Sequence, residues 1–350
     1  MRLTGFLLAI FAVAVFPMGV ARAEPVRIRV AWVVPVANWP SILFEKQGLA
    51  RNMGRSYTFE AIRFQGTAPM ITAMANGELE IGDLAFPSFP LTVGNAGMTD
   101  LRIIADEFQD GVDGYYTNEF FVLKDSPIKS VKDLKGKVLA TNAAGSAVDM
   151  VMRAALRKYG LDDKKDVSFV DAAFPNMKAM LATRKVDLIP GAVPFSLDPD
   201  LRGMARVLFT QKKIVGRTQM MLWAARDGFI RQHRAALVDF MEDALRAARW
   251  WTDPANHKEA VEIAARTAKR PPETFDKWLF VKAGRKGDYY RDRNFLPDLK
   301  ALEANVKLQR SLGFLASDID IGQYADLSIV REAAGRLKPG GARVRETAGL

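Results

Sequence analysis

Two short polar segments of the chain contain the residue types that hold a small anion. They are Gln65, Gly66 and Thr67 in the first segment, and Asn142, Gly145 and Ser146 in the second. Each segment follows an apolar run and precedes a run with helical spacing, so backbone N–H groups at a helix start would face a bound anion. The glycines would admit close approach of a ligand. The same residue types also form helix caps and turns, and this second interpretation stays open.

Aromatic residues occur in three of the loops that follow apolar strands. These residues are Trp39, Phe86 and Phe174. Each of them alone is more typical of a core, but three in such loops predict a cleft that suits a ligand with an apolar or planar body. A further loop, residues 191–194, adds Val193 to the same predicted site.

One carboxylate and two imidazoles complete the candidate residues. Asp83 would suit the ammonium group of a zwitterionic ligand, although a carboxylate beside a helix start more often forms an internal cap. His233 and His257 have no second ligand at metal-binding spacing. The sequence therefore predicts neither a metal site nor a cofactor.

The stretch from Arg63 to Ser88 contains all the elements needed to position one of these loops. Met70, Ile71 and Met74 favour one buried face of a helix, which Gly77 would end in a left-handed conformation. An apolar strand follows and breaks at Phe86 and Pro87. Since ligands of open α/β sheets bind beyond the carboxyl ends of strands, two loops should meet at one edge.

The same frame recurs later in the chain. A displacement of 107 positions, the difference between 177 and 70, places Met70 on Met177 and Met74 on Leu181. It also places Pro87 on Pro194. This internal similarity predicts a second lobe with the same local architecture as the first.

Composition limits the possible functions. With 350 residues and 49% hydrophobic content, the chain can bury one large core or two of ordinary size. Its net charge is +10, but the basic residues are scattered rather than clustered with aromatic residues, which argues against nucleic acid as a partner. The absence of cysteine excludes disulfides, thiolate metal sites and a cysteine nucleophile.

The first 23 residues have the pattern of a signal peptide. Arg2 precedes an apolar run from Phe6 to Val20, and Ala21-Arg22-Ala23 matches the small-x-small motif before a cleavage site. We expect cleavage before Glu24 and, without a cysteine for lipidation, an unanchored protein of a Gram-negative periplasm.

The order of strand and helix patterns predicts the domain boundaries. Lobe 1 is expected to begin with residues 24–120, lobe 2 to cover 121–218, and residues 219–340 to return to lobe 1 and add C-terminal helices. Strands over Glu119–Leu123 and Thr218–Ala225 would cross between the lobes. Residues 341–350 are predicted to be a disordered tail.

Several of these segments resemble a known family. The segments GELEIGDLAFPS (77–88), SPIKSVKDLKGKVLATNAAGSA (126–147) and RKVDLIPGAVP (184–194), with Leu312-Gly-Phe314, resemble the solute-binding proteins of ABC importers for aliphatic sulfonates, taurine and nitrate. The resemblance spans nearly all of residues 24–336. It implies an α/β fold of the two-lobed periplasmic binding protein type (type II), with two three-layer lobes joined by two crossing strands.

The resemblance also implies a function. Such a protein captures a small anionic solute, delivers it to membrane permease subunits, catalyses no reaction and is a monomer. Alternative solutes are an aromatic or aliphatic carboxylate, nitrate and bicarbonate. An alternative function is that of a solute sensor for a membrane kinase. A pyrimidine-synthesis enzyme of the same fold does not fit, since that branch uses a cysteine-rich motif.

Overall fold

A computed structural model describes residues 24–280 and 287–338 of the protein. The predicted signal peptide and the predicted tail lie outside these residues. The strands within them are β1 (Val26–Trp32), β2 (Tyr57–Arg63), β3 (Ile81–Ala85), β4 (Leu101–Asp110), β5 (Glu119–Leu123), β6 (Lys137–Thr141), β7 (Val167–Asp171), β8 (Ile189–Gly191), β9 (Ala205–Thr210) and β10 (Thr218–Arg226).

Helices cover the faces of the sheets and form most of the C-terminal third. They are α1 (Thr67–Ala75), α2 (Ser88–Gly94), α3 (Ala147–Lys158), α4 (Phe174–Ala182), α5 (Pro199–Met204), α6 (Gln211–Val215), α7 (Asp227–Gln232), α8 (Arg234–Trp251), α9 (His257–Ala268), α10 (Glu273–Asp276), α11 (Leu299–Ser311) and α12 (Ser328–Arg336). Within the described residues, no helix is long and apolar enough to cross a membrane.

The protein has two α/β lobes with open sheets. Lobe 1 contains one sheet in the order β2-β1-β3-β10-β4, in which β1 runs parallel to β2 and β3, and β10 runs antiparallel to β3 and β4. In lobe 2, β6 pairs parallel with β7, and β5 pairs antiparallel with β8 and β9. A parallel bridge between Leu139 and Leu188 joins these two groups.

The two lobes therefore share one strand order, since β7-β6-β8-β5-β9 repeats β2-β1-β3-β10-β4. In each lobe the fourth strand of that order is the one that arrives from the other lobe. The type II arrangement is confirmed, while the residue boundaries of the lobes stay predictions.

The internal similarity between the lobes extends to the helices. Met70 and Met74 are buried in α1, as are Met177 and Leu181 in α4. Gly77 follows α1 with φ 70°, and Arg184, at the equivalent position after α4, has φ 55°. The second lobe thus keeps the left-handed turn although it has no glycine there.

Some predicted helix boundaries are wrong. Asn38 as a cap, Pro40 in the first turn and Gly48 as a stop predict a helix in the sequence. The structure has only a 3-10 turn over Trp39–Ser41, because the Asn38 side chain accepts from the N–H groups of Val33 and Val34 instead of capping a helix. The pattern of residues 227–251 predicts a single helix, but the structure has a break at His233 that divides it into α7 and α8.

Candidate ligand-binding cleft

The two polar segments of the sequence meet directly across the interface between the lobes. Gln65 Nε2 donates to the Asn142 carbonyl oxygen at 2.9 Å, and Asn142 Nδ2 donates to the Gln65 carbonyl oxygen at 3.0 Å. The Thr67 N–H donates to Ser146 Oγ at 3.2 Å. The lobes are therefore closed on each other at these loops.

A serine that the sequence analysis did not single out extends this contact. Ser88 Oγ lies 2.6 Å from Thr67 Oγ1 and donates to the Gly145 carbonyl oxygen at 3.3 Å. Ser88 begins α2, directly after the strand break at Pro87. The position of Ser88 directly after the strand break is the sequence signal that would have identified it as a residue of the cleft.

The two glycines of the segments have different roles. A Cβ on Gly66 would lie 2.7 Å from Ser146 Oγ and from Ala143 Cβ, and 2.8 Å from Asn142 Nδ2. A Cβ on Gly145 would meet nothing within 4 Å, but the residue has φ 75°, which favours glycine. Close approach between the lobes thus requires Gly66, whereas Gly145 is required by its backbone conformation.

A cavity of about 50 Å³ lies behind this contact, and both lobes line it. The apolar lining consists of Val33, Val34, Ala37, Ala85, Phe108, Ala147, Val148, Phe174, Ala192, Met220 and Met221. The polar lining consists of Asn38, Thr67, Asn118, Asn142, Ser146 and Tyr289. Among these described lining residues, none has a side chain that is charged at neutral pH. The cavity is therefore mostly apolar, with a minority of neutral polar groups in its lining.

The start of α3 offers free N–H donors to this cavity. The spacing of Ser146 and Asp149 in the sequence predicts a capping box at the start of α3, but this prediction is wrong, because no described side chain caps the helix. Ser146 Oγ instead faces Thr67, and the Asp149 carboxylate accepts from the Gly145 N–H at 2.9 Å. The first-turn N–H groups, including those of the lining residues Ala147 and Val148, lack a capping side chain.

Of the three predicted aromatic residues, only Phe174 lines the cavity. Trp39 is 1% exposed and stacks on Phe280, with ring centroids 5.0 Å apart and the Arg291 guanidinium 4.6 Å from its ring. Phe86 is also fully buried. The structure does not bring the three rings together around one ligand.

Asp83 lies in β3, fully buried and outside the cavity lining. Burial, followed by the nearby Glu107 carboxylate, raises the pKa of Asp83 well above its usual range. Within the described residues, no donor forms a hydrogen bond to either carboxylate oxygen of Asp83. The neighbouring Glu107 accepts from Asn38 Nδ2 at 2.8 Å and from the Trp39 N–H at 2.5 Å.

Glu107 thus holds the loop of residues 38–39, and Asp83 lies beside Glu107. The structure does not place Asp83 in the cavity lining, where the predicted ammonium site would lie. Val193 is likewise buried but does not line the cavity, to which the neighbouring Ala192 contributes.

No group of acidic or histidine side chains in the described parts of the chain is arranged to hold a metal ion.

Two cavity residues that the sequence analysis missed are Asn118 and Tyr289. Tyr289 Oη donates to Asn118 Oδ1 at 2.5 Å, and the Asn118 N–H donates to Asp110 Oδ2 at 2.7 Å. Asp110 and Asn118 flank the segment that crosses from β4 to β5. Tyr289 comes from an irregular segment of the C-terminal region, for which the sequence gives no signal.

Asp110 is buried at this crossing. Burial raises its pKa to about 7, against the opposing effect of hydrogen bonds from Thr117 Oγ1 at 2.5 Å and from the Asn118 N–H. The crossing segment therefore contains a carboxyl group that changes its charge near neutral pH.

Comparison with known families identifies the chain. The model of the NMT1-like family matches residues 21–265, more than half of the sequence. The chain belongs to the NMT1-like family. This assignment agrees with the two-lobed fold and covers both polar segments of the cleft.

Solved structures share the fold of this NMT1-like protein. The alkanesulfonate-binding protein SsuA from Xanthomonas axonopodis pv. citri, bound to MOPS, aligns with a TM-score of 0.67 and 18% identity over 87% of this chain and 99% of that chain. The periplasmic nitrate-binding protein NrtA from Synechocystis PCC 6803 aligns with a TM-score of 0.68 and 15% identity, over 91% and 90%.

An enzyme has the same fold. The desulfurization enzyme DSZB aligns with a TM-score of 0.63 and 15% identity, over 89% of this chain and all of that chain. At these identities the likeness establishes the fold alone. The chemistry of the cleft must therefore be argued from its own residues.

Proposed function

We propose that this NMT1-like protein is the solute-binding component of an ABC importer and that it captures a small organic anion between its lobes. The observation that carries the proposal is the cavity at the lobe interface, where α3 directs uncapped N–H groups toward a mostly apolar space. Anions bind at such helix starts, and the apolar walls suit an organic body. The sulfonate- and nitrate-binding proteins of this fold support the proposal.

The lining favours a singly charged solute. No charged side chain belongs to it within the described residues, so a bound anion would depend on N–H groups, hydroxyls and side-chain amides. Burying a second uncompensated charge in such surroundings is costly. A monovalent sulfonate or carboxylate therefore fits better than a doubly charged phosphate, and nitrate would leave the apolar walls without contacts.

The same lining argues for binding rather than catalysis, despite the desulfurization enzyme with this fold. Thr67 and Ser146 carry the aliphatic hydroxyl groups of the lining, and no described lining residue is a histidine, carboxylate or lysine that could act as their base. The titratable lining residue is Tyr289, and burial raises its pKa well above its usual value. An activated nucleophile is not provided by these residues.

We further propose that the protein acts as a monomer in the periplasm and delivers its solute to membrane permease subunits. The signal-peptide pattern of residues 1–23 and the periplasmic nitrate-binding protein NrtA, which has the same fold, support this location. Lobe closure around a ligand, a common transition in such folds, would give the permease a recognisable closed form.

A thermal-shift screen of residues 24–350 tests the proposal. The panel contains ethanesulfonate, 2-hydroxyethanesulfonate, taurine, propanoate, benzoate, nitrate and bicarbonate. A solute present at 100 times its dissociation constant stabilises the protein by about 2.7 kcal/mol, so a binder raises the melting temperature measurably. We expect an organic monoanion to do so. A shift with nitrate alone, or with none of the compounds, would contradict the proposed solute class.

A further inference from the structure

The Asn142 side chain has one buried polar atom that nothing in the described part of the protein satisfies. Asn142 is 4% exposed and lines the cavity. Its Nδ2 donates to the Gln65 carbonyl oxygen at 3.0 Å, but its Oδ1 has no hydrogen-bond partner. A buried acceptor without a donor costs free energy, so such an atom points to a group that arrives from outside.

The orientation of this amide is fixed by Gln65. The Gln65 carbonyl oxygen can only accept, so a flipped Asn142 amide would place two acceptors against each other. On the backbone side, the Asn142 carbonyl oxygen already accepts from Gln65 Nε2 at 2.9 Å. Gln65 therefore holds Asn142 on two sides, and Oδ1 is the polar atom of Asn142 that remains for a ligand.

The groups that neighbour Asn142 Oδ1 are hydrogen-bond donors, whereas Oδ1 itself is an acceptor. Ser146 and the first-turn N–H groups of α3, with no described capping side chain, are donors that suit an anion. Asn142 Nδ2 and Ser146 Oγ both lie within 3 Å of the point that a Cβ on Gly66 would occupy, so the Asn142 amide is adjacent to them. An acceptor beside several donors matches a solute head that contains both an anionic group and a donor.

We propose that the solute is an organic anion with a hydroxyl, ammonium or amide N–H group near its anionic end, and that this group donates to Asn142 Oδ1. This inference rests on the proposed function and names the chemistry of its solute. Asn142 then determines specificity, because an analogue without the donor would leave Oδ1 buried and unpaired.

Matched probes test the inference on the chain from residue 24 onward. Isothermal titration calorimetry compares ethanesulfonate with 2-hydroxyethanesulfonate, and propanoate with 3-hydroxypropanoate. In each pair only the hydroxyl differs. For at least one pair we expect the hydroxylated probe to bind about tenfold tighter or more. Equal affinities within every pair that binds would overturn the inference and leave the proposed function intact.

Two variants assign the preference to Asn142. Asn142→Ala removes Oδ1 and should reduce the affinity ratio of the two probes to about one. Gln65→Ala removes its own side-chain hydrogen bond between the lobes but leaves Asn142 Oδ1 in place, so the ratio should persist. Because both probes require the same lobe closure, the ratio cancels the effect of each variant on closure. If the preference for the hydroxylated probe survives in Asn142→Ala, the role of Oδ1 is overturned. If none of the four probes binds to the wild type, both the inference and the proposed solute class are overturned.

Discussion

Arg157 in lobe 2 lies over the ring of Phe314 in the C-terminal region, with its guanidinium carbon 4.0 Å from the ring centroid. It also donates to the Leu312 carbonyl oxygen. Arg157 is held by Asp163, which pairs with Arg153 at 3.0 Å. Arg153 in turn pairs with Asp149, the residue that accepts from the Gly145 N–H. A chain of ion pairs thus connects a contact between the lobes with the ligand loop.

Arg157→Ala should favour separation of the lobes. The variant loses a cation–π contact and a charge-assisted hydrogen bond that join lobe 2 to the C-terminal region. We expect a larger radius of gyration in small-angle X-ray scattering of the unliganded protein, and a several-fold weaker solute affinity.

Arg184→Ala is the matched control for this experiment. Arg184 pairs with Asp125 within lobe 2, and both side chains are mostly exposed. Its loss should leave the scattering profile unchanged. Equal radii for wild type and Arg157→Ala would show that this contact does not contribute to closure.

Gly66→Ala and Gly145→Ala should have opposite effects. Gly66 has φ −164°, so alanine is unstrained there, but its Cβ would clash with Ser146 and Ala143 in the closed form. Overpacking of this kind costs about 1–3 kcal/mol, and it is relieved when the lobes separate. Solute affinity should fall about tenfold while the unfolding midpoint changes little.

Gly145→Ala has space for its Cβ but must keep φ 75°. It should lower the free energy of unfolding by about 1 kcal/mol and have the smaller effect on affinity. Calorimetric titration and urea denaturation of both variants measure the two quantities. A larger affinity loss in Gly145→Ala would contradict the assignment of close approach to Gly66.

Asp110 should make stability depend on pH near neutrality. Its pKa is about 7 in the folded protein and about 3.9 in an unfolded chain. Between these values the folded state keeps a proton that the unfolded state releases, so the free energy of unfolding decreases as pH rises. The slope from this group is about 1.4 kcal/mol per pH unit and vanishes above its folded pKa.

Asp110→Asn imitates the protonated carboxyl, since its amide donates to the Thr117 hydroxyl while its oxygen accepts from the Asn118 N–H. Urea denaturation at pH 5, 6, 7 and 8 should show the variant gaining stability relative to wild type from pH 5 to 7. Asp171→Asn, at the exposed end of β7, is the control and should not alter the slope. A constant difference between Asp110→Asn and wild type would refute the raised pKa.

Much of the fold could be predicted from the sequence, because period and spacing report local structure. Met70 and Met177 are buried at equivalent positions of the two lobes, as the displacement of 107 residues predicts. The polar segments around Thr67 and Ser146 are predicted as anion-binding loops, and both lie at the cleft because they follow strands whose carboxyl ends face it.

The composition of the cavity could be predicted only in part. Trp39 follows a strand like the cleft residues, but Glu107 binds its N–H and Arg291 lies over its ring, which directs it into the core. Both partners are distant in sequence. Tyr289 reaches the cavity from a segment without periodicity. Such long-range contacts leave no signal in local spacing.

The central claim is that a small organic anion binds in the cavity between the lobes, and a cavity-filling variant tests it most directly. Ala147 is buried at the start of α3 and lines the cavity, whereas Ala144 is exposed in the loop that precedes this helix. Calorimetric titration with the compound that gives the largest thermal shift should show one site per chain in wild type and in Ala144→Leu, and a loss of binding in Ala147→Leu. Unchanged affinity in a folded Ala147→Leu protein would place the solute elsewhere and contradict the account.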